Sequence, residues 1–393
     1  MLNVTLLSIE WKSIKGGLST INRELALQLA KNPDVEVSVF LPQCSEEDKK
    51  IAASLNVKII EAEELPGLEP VLWLGSVPEK HAMDCVIGHG VQLGRQIPLI
   101  KKQNPHCKWV QVVHTAPEDL GMYKSYEEAI SKCEQKHLGE VKLCELADQV
   151  VAIGPKLADA FARYLRPSKK DQDVLTLTPS IFHEFLGVEQ ATEERKTFCV
   201  LVFGCGDFKL KGYDIAVQAV AELKDTSYQL MFVGAPAGKE YEVAERLLQH
   251  GTGIPPSQLT LRCFKEGRDQ LANLFCEVDL AIMPSRTEGF GLPALEALSA
   301  GLPVLVSGNS GLGAALKEVA CGSQCVVDSE DPKEWAKKIK AVREKSREVR
   351  LEESKLLRNK YLEKFRWQES CGLLLEKMQN LVSGKINFLL IFF

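Results

Sequence analysis

The stretch LAIMPSRTEGFGLPALEALSAGLPVLV, residues 280–306, reads as a strand, a turn, a helix and a second strand. Its first four residues are apolar, the turn contains Gly289 and Gly291, and Pro293 suits the first turn of a helix, where its missing N–H costs nothing. Gly301 is typical of a helix C-terminus, and the apolar run after it returns to a strand. The stretch therefore predicts one βαβ unit of a parallel sheet.

The same alternation of short β-branched runs and helical periods extends along the chain. Strands are predicted at Leu2–Ile9, Val35–Leu41, Val57–Ile60, Asp84–Ile87, Trp109–His114, Gln149–Ile153, Phe198–Phe203, Gln229–Val233, Leu259–Phe264, Leu280–Met283, Val304–Val306 and Gln324–Val327. Because most residues of these runs are apolar, we expect helices on both faces of each sheet. The polar segment 189–196 interrupts the alternation once. The expected fold class is therefore α/β, with two doubly wound, Rossmann-like domains.

The predicted domains are residues 1–190 and 197–365, followed by a helix over 366–382 and an apolar tail over 383–393. The tail is much shorter than the ~20 residues of a membrane helix, so it is either a non-core extension or a peripheral membrane contact. Lys333–Lys364 is rich in Lys, Arg and Glu and predicts a pair of solvent-facing helices.

Composition and charge exclude several classes of protein. The net charge of -5 leaves no domain-wide basic face, which argues against a nucleic-acid partner. The 12 cysteines include no C-x2-C pair, so we expect reduced thiols and no metal site. Residues 1–11 have no basic n-region and no long apolar run, which indicates no signal peptide. We therefore expect a cytoplasmic protein with no integral membrane span.

Two carboxylates flank the turn that opens the helix of the quoted stretch. Glu288 precedes the glycine turn, and Glu296 follows it about one helical turn later. The backbone N–H groups of Phe290, Gly291 and Leu292 would bind an anion at the helix N-terminus. Carboxylates beside an anion site suit a ligand that also carries hydroxyl donors, as a sugar and a ribose do. The alternative is structural, with Glu296 interacting with the helix dipole and Glu288 acting as a capping acid.

The spacing Glu288-x7-Glu296 within EGFGLPALEALSAGLPVL resembles the signature of the family-4 retaining glycosyltransferases of GT-B fold, the group that includes glycogen synthase and sucrose synthase. The resemblance extends over nearly the whole chain. It implies two Rossmann-like domains facing across a cleft and transfer of a sugar from a nucleoside-diphosphate sugar. In that family the first Glu contacts the transferred sugar and the second contacts the ribose hydroxyls.

Segments of the N-terminal half also resemble this family. Gly16 and Gly17 follow the first strand and resemble the family's N-terminal glycine loop, although an ordinary β–α turn would also explain them. His114 ends a strand and resembles the family's histidine near the donor sugar, and we rank it above His89, which ends the preceding strand. The alternative for His114 is a strand-end residue whose hydrogen bonds are satisfied within the fold.

The segment Gly204–Gly212 resembles the family's diphosphate-binding loop. Lys211 matches the lysine that precedes a glycine there, but the usual arginine is absent. We expect Lys209 to supply its charge, although lysine cannot make the bidentate contact of arginine. The resemblance also places the base near Phe264. Phe365–Trp367 and the following helix resemble the segment that crosses back to the first domain, or form an ordinary amphipathic helix.

Together these features predict a metal-independent retaining glycosyltransferase with no cofactor beyond its sugar-nucleotide donor. Lys211, Lys209 and the helix N–H groups would stabilise the departing diphosphate. Glu288 would fix the donor sugar and His114 would contact it, neither acting as a nucleophile. Uridine is favoured by its frequency in the family, whereas the acceptor could be a glycan, a protein or a small molecule. The alternatives are a catalytically weak sugar-nucleotide-binding module, or an epimerase or phosphorylase on the same fold.

Overall fold

A computed structural model describes residues 1–13, 16–123, 128–169, 173–204, 206–250, 254–263 and 267–384. The chain divides into two compact units. Unit 1 contains residues 1–115 and 135–179 together with the C-terminal segment from Trp367, and unit 2 contains residues 116–134 and 180–366.

The helices and strands alternate along both halves of the chain. Up to residue 179 they are β1 (Leu2–Leu7), α1 (Gly17–Leu29), β2 (Val35–Leu41), α2 (Glu46–Ser54), β3 (Val57–Glu61), α3 (Pro70–Trp73), β4 (Cys85–His89), α4 (Gly90–Gly94), α5 (Ile97–Gln103), β5 (Lys108–Val113), α6 (Pro117–Gly121), α7 (Ala129–Leu146), β6 (Gln149–Ile153), α8 (Pro155–Leu165) and β7 (Val174–Leu177). After it they are β8 (Phe198–Phe203), α9 (Tyr213–Glu222), β9 (Tyr228–Ala235), α10 (Glu240–His250), β10 (Leu259–Cys263), α11 (Arg268–Glu277), β11 (Leu280–Met283), α12 (Leu292–Ser299), β12 (Val304–Ser307), α13 (Gly311–Lys317), β13 (Val326–Val327), α14 (Pro332–Arg343), α15 (Arg347–Lys364) and α16 (Trp367–Ser383).

Each unit is built on a parallel sheet. Within the described residues, unit 1 has seven strands in the order β3-β2-β1-β4-β5-β6-β7, and unit 2 has six in the order β10-β9-β8-β11-β12-β13. The strand order therefore reverses between β1 and β4 in unit 1 and between β8 and β11 in unit 2. Loops at the carboxyl ends of strands on either side of such a reversal form the usual ligand site of open α/β sheets. The predicted α/β class with two Rossmann-like sheets is confirmed.

The core of unit 2 forms where helices cover strands that are apolar along their length. Phe198, Leu230 and Phe232 of the sheet are buried together with Trp335 and Ile339 of α14. Burial of a large aromatic side chain contributes about 1.5–3 kcal/mol through removal of apolar surface from water. β8 is buried at every position except Phe203, so this central strand is covered on both faces.

Two elements at sheet edges differ from the sequence prediction. β7 was not predicted, because its VLTL sequence is buried only at Leu177 and lacks a continuous apolar run. It nonetheless pairs with β6 in parallel, from Val150↔Val174 to Ile153↔Leu177. The strand predicted at Gln324–Val327 is wrong in its first half, because Gly322–Cys325 forms a 3-10 turn and only Val326–Val327 is extended.

The charged segment predicted as solvent-facing helices does form α14 and α15, but both helices bury one side. Arg347 and Arg350 of α15 are almost fully buried. The Arg347 guanidinium is hydrogen-bonded to Asp279. The Glu194 carboxylate accepts the backbone N–H of Arg347 and a guanidinium N–H of Arg350, each at 2.8 Å. The polar segment around Glu194 is thus held to α15 by an ion pair with Arg350 and a hydrogen bond from the Arg347 backbone, which an alternation of apolar residues does not indicate.

The C-terminal helix α16 belongs to unit 1, where it packs against α1, β5 and β7. Its buried face includes Trp367, Leu374 and Met378. No helix among the described residues is both long enough and apolar enough to cross a membrane. Of the apolar tail predicted over residues 383–393, Ser383 is the last residue of α16, and residues 385–393 lie outside the described part of the chain.

Candidate active site

The loop after β11 leads into α12 at the carboxyl edge of the unit 2 sheet. Gly291 caps the helix with a φ of 111°, in the left-handed region that favours glycine. Leu292 is the first helical residue and Pro293 follows it, so the N–H of Leu292 has no acceptor inside the helix. Phe290 is buried, and its carbonyl accepts the N–H of Leu312 at 2.7 Å. The residues predicted to bind an anion therefore lie together at a helix N-terminus.

Glu288 and Lys211 form an ion pair beside this helix. Lys211 Nζ lies 2.5 Å from Glu288 Oε2, and Ser285 Oγ donates to the same oxygen at 3.3 Å. The backbone of Glu288 is held by its own N–H, which donates to Asn309 O at 3.1 Å. Both side chains of the pair remain accessible, with exposed fractions of 27% for Lys211 and 20% for Glu288. Lys211 and Glu288, which were predicted from two motifs 77 positions apart, are thus in direct contact.

The turn that presents Lys211 has a glycine at its end for a steric reason. Gly212 has a φ of 67°, and a Cβ atom there would lie 2.0 Å from Pro284 O. Asp207 Oδ1 accepts the backbone N–H of Lys209 at 3.1 Å and so fixes the start of the turn. The Lys209 side chain is exposed, and among the described residues its ammonium forms no ion pair. Of the two lysines of the turn, Lys211 is therefore paired with a carboxylate and Lys209 points to solvent.

Arg286 was not singled out by the sequence, although it connects this turn to the loop after β11. Its guanidinium makes two hydrogen bonds of 2.8 Å to the Asp214 carboxylate and donates to Lys209 O at 2.6 Å. Its Nε also donates to Glu330 at 3.0 Å. Its hydrogen bonds to Asp214 raise the pKa of Arg286. Because two carboxylates neutralise it, Arg286 holds the loops together and is not a cation available for a phosphate.

Glu296 is buried on α12, where Arg268 of α11 contacts it. Arg268 Nη1 donates to Glu296 Oε1 at 3.0 Å, and Arg268 Nη2 lies 3.5 Å from Glu184 Oε1. The guanidinium also lies over the rings of Phe182 and Phe185, 5.2 and 5.4 Å from their centroids. Burial raises the pKa of Glu296 to about 7, and the charge of Arg268 opposes that shift. The carboxylate is thus oriented by an arginine that the sequence analysis missed.

In unit 1 the glycine loop follows β1. Gly16 caps α1 with a φ of 112°, and Gly17 is the first residue of the helix. A Cβ atom at Gly16 would meet no other atom within 4 Å. The backbone angle, and not crowding, therefore explains the glycine at this position.

His89 and His114 are hydrogen-bonded to each other at the carboxyl edge of the unit 1 sheet. His89 is the last residue of β4 and His114 follows β5, and their Nδ1 and Nε2 atoms lie 2.8 Å apart. His89 is fully buried, whereas His114 is half-buried. Burial lowers the pKa of His114 to about 4, and burial together with His114 lowers that of His89 well below its usual value. Both rings are therefore neutral near pH 7.

A family model described as "Family 4 Glycosyltransferase in conflict systems" matches residues 5–374. The chain belongs to this glycosyltransferase family. Among curated relatives, the D-inositol 3-phosphate glycosyltransferase of Rhodococcus opacus is 26% identical over 283 residues, or 68% of this chain and 62% of that protein. The corresponding protein of Mycolicibacterium smegmatis is 26% identical over 358 residues, covering 83% of this chain and 78% of its own length.

Solved structures resemble this family-4 chain over almost its whole length. Sucrose-phosphate synthase from Thermosynechococcus elongatus has a TM-score of 0.75 at 20% identity and covers 98% of this chain and 100% of its own. Anabaena Alr3699/HepE, solved in complex with UDP and glucose, has a TM-score of 0.68 at 14% identity and covers 96% of this chain and 100% of its own. At these identities the likeness shows the fold, which is GT-B.

Two further expectations for this family-4 chain concern the residue near the base and the absence of a metal ion. Phe264, expected near the base, lies outside the described residues. Within the described residues, no group of three or more His, Cys, Asp or Glu side chains is arranged to hold a metal ion. The expectation of a metal-free reaction stays a prediction.

Proposed function

We propose that the chain is a retaining glycosyltransferase that transfers a sugar from a UDP-sugar to an acceptor without a metal ion. The observation that carries the proposal is the Lys211–Glu288 pair beside the N-terminus of α12, with Glu296 on the same helix. These groups supply a cation, backbone N–H donors and two carboxylates from two loops and one helix of unit 2. A diphosphate needs the first two, and sugar and ribose hydroxyls need the carboxylates.

In the proposed reaction, the departing nucleoside diphosphate develops negative charge on its leaving oxygen. The Lys211 ammonium and the N–H groups of Gly291 and Leu292 stabilise that charge, which is strongest in the transition state. In the ligand-free chain Lys211 neutralises Glu288 at 2.5 Å. When the diphosphate engages Lys211, the Glu288 carboxylate becomes available to the hydroxyls of the transferred sugar.

Retention of configuration then follows from attack on the same face from which the diphosphate leaves. A double displacement would need a carboxylate nucleophile on the opposite face of the sugar. We assign Glu288 instead to fixing the sugar, since the family resemblance gives the first glutamate of the motif that contact and Glu296 is assigned to the ribose. In this scheme the departing phosphate accepts the proton of the acceptor hydroxyl, and His114 contacts the sugar without taking a proton.

Uridine is the proposed base because it is frequent in the resembling family and because the HepE structure was solved with UDP and glucose. The curated relatives are named for D-inositol 3-phosphate, which makes a phosphorylated polyol the first acceptor to test. Phe264 is proposed to lie near the base on the strength of the resemblance.

A second candidate is a sugar-nucleotide-binding module with weak or no catalysis. The observations that favour it are the missing arginine in the loop 204–212 and the exposed side chain of Lys209. Arg286 does not replace that arginine, because Asp214 and Glu330 bind it. Such a module would bind a UDP-sugar with Lys211 and Glu296 but would transfer it slowly.

The proposal is tested with a panel of sugar nucleotides. Thermal shift against uridine, guanosine, adenosine and thymidine diphosphate sugars identifies the base, and proton NMR of the reaction with inositol 3-phosphate gives the anomeric configuration of the product. A product with the donor's configuration supports the proposal, and an inverted product contradicts it. Binding without transfer or hydrolysis favours the binding module, and an altered UDP-sugar without transfer indicates an epimerase.

Turnover is expected to survive removal of divalent cations. If Lys211 and the α12 N-terminus neutralise the diphosphate, an excess of EDTA should change the transfer rate by less than about twofold, because no metal-held charge is lost. The rate is measured with and without added magnesium or manganese after exhaustive dialysis. Strict dependence on either ion would contradict the cation role given to Lys211.

Lys211→Ala is expected to weaken UDP binding by roughly 10- to 100-fold, since a hydrogen bond to a charged group contributes ~1.5–3 kcal/mol. Lys209→Ala should match it only if the Lys209 ammonium reaches the phosphates, and an exposed lysine with no such contact should cost under about 0.5 kcal/mol. Calorimetry at one fixed salt concentration compares the two variants, which are matched because they remove the same side chain from the same turn. Equal affinity of Lys211→Ala and the wild type would contradict the diphosphate assignment.

A further inference from the structure

The hydrogen bond between His89 and His114 restricts which ring nitrogen of each histidine carries its proton. β4 and β5 are parallel neighbours with His89 opposite Val112, so the two rings come from adjacent strand ends. Nδ1 of His89 and Nε2 of His114 are separated by 2.8 Å. Since each neutral imidazole has one N–H, one of these two nitrogens donates and the other accepts. The position of one proton therefore determines the other.

Nε2 of His89, the ring nitrogen that does not face His114, indicates which nitrogen of His89 carries the proton. His89 Nε2 is buried and has no hydrogen-bond partner among the described residues. A buried N–H left without an acceptor is rarer than an acceptor with an unused lone pair. The proton of His89 therefore belongs on Nδ1, where it is donated to His114 Nε2. His114 then carries its own proton on Nδ1.

The backbone around His89 is held by a polar network in unit 1. Gln111 of β5 donates through Nε2 to Gly90 O at 2.9 Å, and the same nitrogen lies 3.4 Å from Glu140 Oε1. Gln111 and Glu140 are both buried. Because Gly90 follows His89 directly, this network fixes the peptide that carries the His89 ring.

We propose that His89 is a positioning residue that fixes His114 as a neutral donor, with its proton on Nδ1, for an acceptor oxygen of the bound sugar nucleotide. His114 is thereby assigned to bind a hydroxyl or phosphate oxygen and is not a general base. Only the identity of the ligand rests on the proposed function. The tautomer is a property of unit 1 itself and can be measured without any ligand.

The tautomer is read directly by NMR of the full-length protein labelled with 15N-histidine. Long-range proton–nitrogen correlations distinguish a protonated Nδ1 from a protonated Nε2, and His114→Gln assigns the His114 signals by their loss. We expect protonated Nδ1 and unprotonated Nε2 for both His89 and His114 near pH 7. The proposal would be overturned if His89 carried its proton on Nε2 and His114 carried its proton on Nε2 instead of Nδ1.

Variants at His89 separate positioning from simple packing. His89→Asn places an amide donor near the position of Nδ1, whereas His89→Leu fills the space and offers no donor. In His89→Leu the His114 tautomer should become mixed and the transfer rate should fall by about three- to tenfold relative to His89→Asn, the range of one neutral hydrogen bond. His81, whose Nε2 lies 2.8 Å from Thr5 Oγ1, is the internal control and should keep its tautomer in both variants. An unmixed His114 tautomer in His89→Leu would contradict the positioning role.

Two probes separate this proposal from the proposed function. UDP and UDP-glucose are titrated separately while the His114 Nδ1–H signal is followed. A shift with UDP-glucose alone assigns the acceptor oxygen to the sugar, and a shift with both probes assigns it to a phosphate. If neither probe binds in thermal shift, the uridine donor is wrong and the tautomer measurement alone decides the role of His89. If UDP-glucose binds and the His114 signal does not move, the ligand contact is wrong.

Discussion

Asp279→Ala is expected to lower the free energy of unfolding of unit 2 by about 3–5 kcal/mol, because removing one partner of a buried ion pair leaves the other charge uncompensated. Asp279 and Arg347 each have an exposed side-chain fraction of 1% and are hydrogen-bonded to each other. The Asp279 carboxylate also accepts the N–H of Cys199 in β8 at 2.8 Å. Arg350, equally buried and 4.0 Å from Asp279, would lose its nearest buried carboxylate as well.

The matched control for this prediction is Asp328→Ala. Asp328 also pairs with a basic side chain, Lys317 at 2.6 Å, but the exposed side-chain fractions of the pair are 63% and 41%. Exposed pairs contribute about 0–1 kcal/mol, so this variant should unfold almost like the wild type. Urea unfolding of the full chain is fitted with a separate transition for each unit, because a two-unit chain need not unfold in one step. Equal losses in the two variants would show that Asp279 is not a buried structural charge.

The two sheets could be predicted from the sequence because parallel strands covered on both faces are apolar along their length. β2, β6, β8 and β11 have the bounds expected from that pattern. β7 escaped prediction because an edge strand has fewer buried positions and shows no continuous apolar run. The pattern of apolar residues thus predicts which segments are buried. It predicts a strand only where that strand is buried.

The charged residues of α15 show the converse limit. Lys, Arg and Glu in a run indicate a solvated face, and most of the helix follows that rule. Arg347 and Arg350 do not, because Asp279 and Glu194, more than sixty residues away in the chain, provide the carboxylates that allow burial. Partners at such separations have no local signal in a single sequence.

The residues of the candidate site also fall into those that a local motif predicts and those that it does not. Lys211, Glu288, Glu296 and the residues of the α12 N-terminus were predicted because each lies in a short motif with a recognisable turn. Arg268 has no motif, yet it opens a helix after β10 and contacts Glu296, 28 positions away. A search for basic residues at the starts of helices after parallel strands would have found it.

Glu288→Ala is expected to lower the rate of sugar transfer by about 10²–10³-fold while leaving UDP affinity within about threefold of the wild type. The transfer loss follows from removing a charged group that positions the reacting sugar, and its expected size is that of deleting one preorganised group that stabilises a transition state. UDP affinity is preserved because UDP carries no transferred sugar. Removal of the carboxylate also leaves Lys211 without the ion pair at 2.5 Å, so its ammonium can turn fully to the phosphates.

Glu296→Ala is expected to show a different pattern, with UDP affinity lowered by roughly 10- to 100-fold because hydrogen bonds from the ribose hydroxyls to a carboxylate are lost. Calorimetry with UDP and a transfer assay are run on both variants and on Glu363→Ala, a control whose carboxylate is 60% exposed and pairs with Lys360 on the same helix. The burial that raises the pKa of Glu296 to about 7 adds a second readout. Protonation removes the acceptor charge, so wild-type UDP affinity should fall as the pH drops through about 7. The same titration of Glu296→Ala should lack that component. Equal losses of UDP affinity in Glu288→Ala and Glu296→Ala would mean that the sugar and ribose roles of the two carboxylates are misassigned.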